Sequence, residues 1–113
     1  MTQLAELARG DIVWAADPLS EKGRPMLTLG TPRFQSHGLQ LITVLVSTKT
    51  YHEDSVELRD EDYGGQPLDQ RSFALPWSLV TLNDPESVTL HMSTLGAERT
   101  DEIAAQSTGY IST

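Results

Sequence analysis

The sequence predicts a mainly β fold with minor α content, in which short strands form a small barrel and one helix follows them. Short apolar segments rich in β-branched and aromatic residues alternate with turn residues along most of the chain. Only residues 97–106 have the composition of a helix, and Gly109 just beyond them is a typical helix stop. The 113 residues contain no repeat or linker, so they predict one domain spanning residues 1–113.

The predicted strands are short and bounded by turn or loop residues. Residues 39–46 form the clearest of them, because this apolar β-branched run is too short for a typical helix. Pro76 divides two of the segments, since proline has no N–H to donate to a neighbouring strand. Residues 59–70 are a predicted exposed loop, and residues 2–8 a predicted short helical turn. The predicted strands are residues 11–16, 25–30, 39–46, 56–58, 72–75, 79–82 and 87–91.

Composition argues against several kinds of site. The chain has no cysteine, so it has no disulfide and no thiolate metal site. His37, His52 and His91 lack the close spacing of zinc ligands, and we expect no metal centre. No apolar run approaches the roughly 20 residues of a membrane span, and no signal peptide is visible, so we expect a cytoplasmic protein without membrane contact.

The net charge of −8 is unfavourable for nucleic-acid binding, because affinity comes largely from basic side chains that displace counterions. A local basic pocket nevertheless suffices for a site. Scarce lysine with abundant carboxylate is also typical of salt-adapted proteins. At molar salt the Debye length is about 3 Å, and long-range repulsion of an anionic substrate largely vanishes. An ordinary acidic protein is the alternative interpretation.

Short segments occur along the chain in the order of one known family. They are residues 9–14 (RGDIVW), 17–18 (DP), 23–25 (GRP), 47–48 (ST), 72–75 (SFAL) and the helical residues 95–111. In this order and at this length, the chain resembles the MazF/PemK ribonuclease toxins of prokaryotic toxin–antitoxin pairs. The resemblance implies a small SH3-like or CcdB-like β-barrel with a C-terminal helix.

The same resemblance implies a reaction: cleavage of single-stranded RNA at short sequences, without metal or cofactor, by attack of a ribose 2′-OH on its own 3′-phosphate. Arg24 matches the family's functional arginine, and its fork of donors suits two phosphoryl oxygens. Ser47 matches the functional threonine, and its hydroxyl can hold the 2′-OH or donate to the phosphate. Arg24 and Ser47 are therefore the candidate catalytic residues. The implied partners are a second copy in a homodimer, single-stranded RNA and an antitoxin protein.

Four further residues are candidate RNA contacts. Thr48 and Lys49 follow Ser47 and can reach a phosphate, although both also fit an ordinary exposed strand end. Trp77 offers a stacking face for an unpaired base. Asp17 belongs to the matching Asp-Pro pair. Trp14, in an apolar strand, is predicted to be a core residue instead.

Two other functions stay open. A degenerate member of the family would bind a protein partner or RNA without cleavage, because Val80 stands where the family has a basic residue and the loop before Arg24 is short. An unrelated SH3-like adaptor would share only the fold, which does not determine function. Catalysis requires Arg24 and Ser47 within one phosphate's reach of each other, in a concave and locally positive pocket.

Overall fold

The computed structural model describes residues 7–17, 20, 22–31, 40–83 and 87–111. Six antiparallel strands form one sheet and an α-helix follows the last strand, so the predicted mainly β fold with a C-terminal helix is confirmed. The helical turn predicted for residues 2–8 falls almost entirely outside the described residues. The elements are β1 (Asp11–Ala16), β2 (Gly23–Gly30), β3 (Leu41–Ser47), β4 (Val56–Leu58), a 3₁₀ turn (Asp60–Asp62), β5 (Ser72–Leu82), β6 (Val88–Thr94) and α1 (Ala97–Ile111).

The strand order across the sheet is β4-β5-β3-β2-β1-β6. The segment after β4 crosses to the opposite edge, where the Gly64 and Gly65 N–H groups donate to Thr94 O at 2.8 and 3.2 Å. Tyr63 also forms an antiparallel bridge with Leu95. Within the described residues no ladder joins β4 to β6. The sheet therefore curls toward a barrel, and its edges meet only at one end.

Gly10, the glycine of the RGDIVW segment, is required by backbone geometry. Its φ of +100° is rarely adopted by residues with a side chain, and a Cβ there would lie 2.8 Å from Leu95 O. Its N–H donates to Thr28 O, and its carbonyl accepts from the Leu95 N–H, both at 2.8 Å. This residue thus links the start of β1 to β2 and to the segment before α1.

Both faces of the sheet bury apolar side chains. On one, here called the helix face, Ile12, Leu27 and Val44 pack with Ile103 of α1. On the other, the second face, one cluster contains Val13, Ala15, Met26, Leu41, Val80, Leu82 and Val88. Burial on both sides explains why β3 has an apolar run rather than alternating polar and apolar residues.

Pro76 does not end a strand, so the predicted division of this segment was wrong. Val44 of β3 pairs with Leu79, whereas the adjacent Leu45 pairs with Leu75. The intervening residues 76–78 bulge out of the ladder, and the missing N–H of proline falls where no partner is needed. The bulge lets β5 run unbroken from Ser72 to Leu82.

The helix runs past residue 106, where composition predicts its end, and continues through Gly109 to Ile111, the last residue of the helical segment quoted for the family resemblance. No positive φ occurs at Gly109, so this glycine does not act as a left-handed helix stop. Among the described residues, α1 included, no helix has the length and apolar character of a membrane-spanning segment.

Candidate functional site

Arg24 lies near the start of β2, where it pairs with Ala15 of β1. Its Nε donates to Asp17 Oδ2 at 2.8 Å. The Asp17 side chain is 6 % exposed and that of Arg24 is 41 % exposed. Among the described residues, no acceptor contacts the η-nitrogens of Arg24. The buried carboxylate thus holds the guanidinium in place while its outer fork stays open to solvent.

Ser47 ends β3, the strand beside β2. The β2–β3 ladder pairs Met26 with Leu45 and Leu27 with Val44. The ladder ends with the Met26–Leu45 pair, and the same register continued by two residues brings Arg24 and Ser47 to the same end of the second face. The two predicted catalytic residues therefore come to adjacent strands at one end of one face.

The Ser47 hydroxyl already has one local role, since its Oγ accepts the Lys49 N–H at 3.0 Å. This is the ordinary strand-end hydrogen bond of a serine. A hydroxyl that accepts one bond keeps its own proton for another acceptor. Ser47 is half-buried, and Thr48 and Lys49 are exposed just beyond it.

Paired residues on the next two strands extend the row of side chains from Ser47 toward the β4 edge of the sheet. Ser47 pairs with Phe73 of β5, and Phe73 pairs with Glu57 of β4. The guanidinium of Arg71 stacks over the Phe73 ring, 5.1 Å from its centroid, and its Nε donates to Glu57 Oε2 at 2.6 Å. This hydrogen bond from Arg71 holds the pKa of Glu57 below its ordinary value.

We call the residues Asp17, Arg24, Ser47, Phe73 and Glu57 the arginine row. Arg24 and the adjoining Arg71 are each paired with a carboxylate. Their charges are therefore compensated, and the row lacks the local excess of positive charge that was set out above as a condition for catalysis. Because Nε of Arg24 is bonded to Asp17, an anionic ligand would bind the guanidinium through its η-nitrogens.

A cavity of about 470 Å³ opens at the same end of the sheet but on the helix face, opposite the row, and we call it the Trp14 cavity. Pro25 and Thr48, the chain neighbours of Arg24 and Ser47, both line it. Among the described lining residues none is lysine or arginine. The lining also includes Trp14, Leu90, His91, Met92 and residues 66–70.

Trp14 is 40 % exposed, so its prediction as a core residue was wrong. It pairs with Pro25 on one side and with Leu90 on the other. Gly23 makes room for the indole, because a Cβ there would overlap the ring and lie 2.7 Å from Trp14 Cε2. In the sequence, Gly23 of the GRP segment is the residue that could have indicated an exposed Trp14. Its role becomes clear only when the β1–β2 register shows that Gly23 lies beside the indole.

Trp77 lies elsewhere, in the β5 bulge. Its ring contacts His52 edge-on at a centroid distance of 5.8 Å and Tyr110 of α1 at 6.3 Å. Among the described residues, no contact joins Trp77 to Arg24 or Ser47. The structure therefore brings Arg24, Ser47, Thr48 and Asp17 to one end of the sheet and leaves Trp77 apart from them.

Asp17 is buried beneath Arg24 and accepts its Nε–H, and direct contact of Asp17 with RNA stays a prediction. Within the described ranges, no group of three histidine or carboxylate side chains is arranged to hold a metal ion. A comparison with known protein families finds no matching family model, and no curated protein matches the sequence significantly.

Proposed function

We propose that the chain is a MazF/PemK-like endoribonuclease toxin that cleaves single-stranded RNA at short sequences without a metal ion. The observation that supports it best is the β2–β3 register, because its continuation by two residues brings Arg24 and Ser47 to the same end of one face. The order of the short motifs along the sequence adds support, since Arg24 and Ser47 are also the residues that match the family's functional positions. Toxin action in the cytoplasm, in a homodimer silenced by an antitoxin, belongs to the same proposal.

In this reaction the RNA supplies its own nucleophile. The 2′-hydroxyl loses its proton to water and its oxygen forms a bond to phosphorus as the bond to the 5′-oxygen breaks. The departing 5′-oxygen takes a proton from water, which leaves a 2′,3′-cyclic phosphate and a 5′-hydroxyl. Arg24 binds two non-bridging oxygens through its η-nitrogens and stabilises the charge that develops on them. Asp17 fixes that fork before the substrate arrives, which lowers the entropic cost of forming the transition state.

Ser47 acts beside the arginine. Its hydroxyl proton is directed to a phosphoryl oxygen or to the attacking 2′-oxygen, while the Lys49 N–H keeps the oxygen in position. A base that passes the strand ends near Pro25 and Thr48 reaches the Trp14 cavity on the helix face, where it stacks on the indole. Thr48 at the cavity wall and the exposed Lys49 contact the flanking phosphates.

One observation favours a second candidate, a module that binds RNA or a protein partner without cleavage. Arg24 and Arg71 are both neutralised by carboxylates, and the Trp14 cavity has no basic lining residue among those described. A phosphate would then bind weakly, because affinity for RNA depends largely on uncompensated positive charge.

The test is cleavage of a long, mixed-sequence single-stranded RNA with EDTA present, at low and high salt. Wild type is compared with Arg24→Ala, Ser47→Ala and Ser47→Thr. Arg59→Ala is the matched control, since its guanidinium is exposed and lies 3.8 Å from Glu61, outside the arginine row. We expect discrete fragments from wild type, Ser47→Thr and the control, and a loss of about 100-fold or more in the other two variants.

The outcomes separate the two candidates. Cleavage that persists unchanged in Arg24→Ala would assign the activity to a contaminating nuclease. Absence of cleavage by a folded preparation that still binds the RNA would establish the second candidate. A cyclic phosphate at the new 3′ end, read from the fragment masses, would support attack by the 2′-OH.

A further inference from the structure

A second cavity of about 420 Å³ lies on a different part of the molecule, around the β5 bulge. Three segments contribute to it: the chain between β3 and β4, the bulge itself and the last turn of α1. Its lining is Tyr51, His52, Asp54, Trp77 and Tyr110. Four of these five side chains are aromatic rings, and the fifth is a carboxylate. We call this the Trp77 cavity.

The rings form walls at steep angles. The His52 ring meets the Trp77 ring at 74°, and the Tyr110 ring meets it at 84°. Trp77 keeps 37 % of its surface exposed, and Tyr51 keeps 60 %. Trp77 and Tyr51 therefore leave large aromatic surfaces in contact with solvent, although His52 and Tyr110 pack edge-on against Trp77.

Hydrogen bonds hold the walls in place. Tyr110 donates its hydroxyl proton to Asp54 Oδ2 at 2.8 Å, and Gln106 Nε2 donates to the Asp54 carbonyl at 3.0 Å. Gln106 also donates to the Tyr110 hydroxyl at 3.1 Å. Below them, Ser107 Oγ donates to Pro76 O at 2.7 Å and ties α1 to the bulge. The cavity is therefore formed before any ligand binds.

These bonds also set the protonation of Tyr110. The hydrogen bond from Gln106 lowers the pKa of the phenol, but desolvation and the Asp54 carboxylate together outweigh it. The pKa of Tyr110 is consequently raised above its ordinary value. The phenol stays neutral and keeps donating to Asp54, so the carboxylate carries the only negative charge of the lining.

The charge of the residues that line the Trp77 cavity favours a positively charged ligand over a negatively charged one. Among its described lining residues there is no lysine or arginine, and Asp54 supplies a carboxylate. A nucleotide would bring phosphates toward this carboxylate with no lysine or arginine among the described lining residues to compensate their charge. A positively charged group gains from both features, because aromatic faces attract cations and Asp54 supplies the opposite charge.

We propose that the Trp77 cavity is a binding site for an alkylated ammonium group, held against the face of Trp77 and beside Asp54. Tyr51 and Tyr110 complete an aromatic cage around it. A methylated ammonium fits better than a bare one, since its weaker hydration makes transfer into an aromatic site less costly. The group comes either from a small quaternary ammonium compound or from a methylated lysine side chain. This proposal is independent of RNA cleavage.

The experiment uses the full chain and observes its two indole N–H signals by NMR, one from Trp14 and one from Trp77. Tetramethylammonium chloride is the probe, and tert-butanol, a neutral molecule of similar shape, is its matched control. Sodium chloride is adjusted to keep ionic strength constant. We expect the Trp77 signal to shift and saturate with tetramethylammonium, to respond at least fivefold less to tert-butanol, and the Trp14 signal to stay in place.

Variants test the residues. Trp77→Leu should remove the shift of neighbouring signals, whereas Trp14→Leu, the same change at the other exposed tryptophan, should leave binding intact. Asp54→Asn keeps an acceptor for Tyr110 but removes the charge, and we expect affinity to fall several-fold. The unchanged Trp14 signal reports that Trp77→Leu and Asp54→Asn remain folded.

The two sources are separated by a trimethyllysine peptide. Binding at least tenfold tighter than that of tetramethylammonium supports a methylated side chain, and equal binding supports a small free compound. Equal shifts with tert-butanol, or no shift of the Trp77 signal, would overturn the proposal. So would a Trp77 signal that moves with protein concentration alone, because a second copy of the chain would then fill the cavity.

Discussion

The ion pair between Arg24 and Asp17 joins a solvent-facing guanidinium to a buried carboxylate. Nε of Arg24 lies 2.8 Å from Oδ2 of Asp17, and the two side chains are 41 % and 6 % exposed. Water can solvate Arg24 without its partner, but it cannot reach Asp17 in the same way. Removing Arg24 should therefore lower the stability of the fold more than removing the charge of Asp17.

This inequality predicts an ordered result in a double-mutant cycle. Arg24→Gln removes the guanidinium from a buried carboxylate, and we expect it to lower the free energy of unfolding by about 2 kcal/mol. Asp17→Asn leaves an arginine that water solvates, with an expected loss of about 1 kcal/mol. The double variant should show a coupling of about 1 kcal/mol in urea unfolding. Equal losses with no coupling would mean that the pair is not formed in solution.

Two glycines should respond to alanine with opposite signs. A Cβ at Gly23 overlaps the Trp14 indole, so Gly23→Ala must displace the ring and cost about 1–3 kcal/mol. A Cβ at Gly109 meets nothing within 4 Å on α1, and Gly109→Ala should stabilise the chain by up to about 1 kcal/mol. Thermal unfolding measures both, and tryptophan emission should change only for Gly23→Ala. A neutral Gly23→Ala would place the indole elsewhere.

The pKa of Glu57 should depend on Arg71. The hydrogen bond from Arg71 holds that pKa below its ordinary value, so Arg71→Gln should raise it toward the ordinary value of a glutamate. Because the folded-state pKa is depressed, the pair stabilises the fold above the unfolded-state pKa, and this contribution is lost as pH falls through the folded-state pKa. The variant should accordingly lose less stability than wild type on acidification through that range.

Carboxyl ¹³C shifts of Glu57 followed against pH provide the measurement. Arg59→Gln is the graded control, since Arg59 lowers the same pKa only through a weaker charge interaction. We expect a smaller rise there than in Arg71→Gln. The reverse order would show that the 2.6 Å contact between Arg71 and Glu57 is not the main cause.

The contact of α1 with the β5 bulge should depend on Ser107. Its buried hydroxyl donates to Pro76 O, and Ser107→Ala should cost about 1–2 kcal/mol because the carbonyl is left without this partner. Thr108→Ala removes a neighbouring hydroxyl that donates to Ala104 O on the exposed side of the helix, and should change stability by less than about 0.5 kcal/mol. Chemical denaturation compares the two, and similar losses would argue against the anchoring role of Ser107.

Strand positions could be predicted well from the sequence because composition and turn residues determine them locally. Residues 11–16 and 56–58 were predicted with the bounds found for β1 and β4. Pairing is different, since the register that brings Arg24 and Ser47 to the same end of one face depends on strands distant in the chain. Family resemblance suggested both residues, but only the ladder relates their positions.

The sequence predictions failed where tertiary contacts override local preference. Trp14 has an apolar strand around it, yet its ring lies at the surface because Gly23 leaves room there. Pro76 signals a strand end, but a bulge accommodates it. The pairing of Arg24 with Asp17 has no local signal either, because a charge balance between side chains appears only when the chain is folded.

In β5, the bulge at residues 76–78 interrupts the pairing with β3, whereas the residues on either side of the bulge are paired. Residues 76–78 have no partner position in β3, and the pairs on either side of them form independently. Substitutions at Trp77 or Ser78 can therefore change what this surface recognises without shifting the register of the sheet. A strand in the middle of the chain thus has the adaptability of a binding loop, while the arginine row on the adjoining strands keeps its geometry.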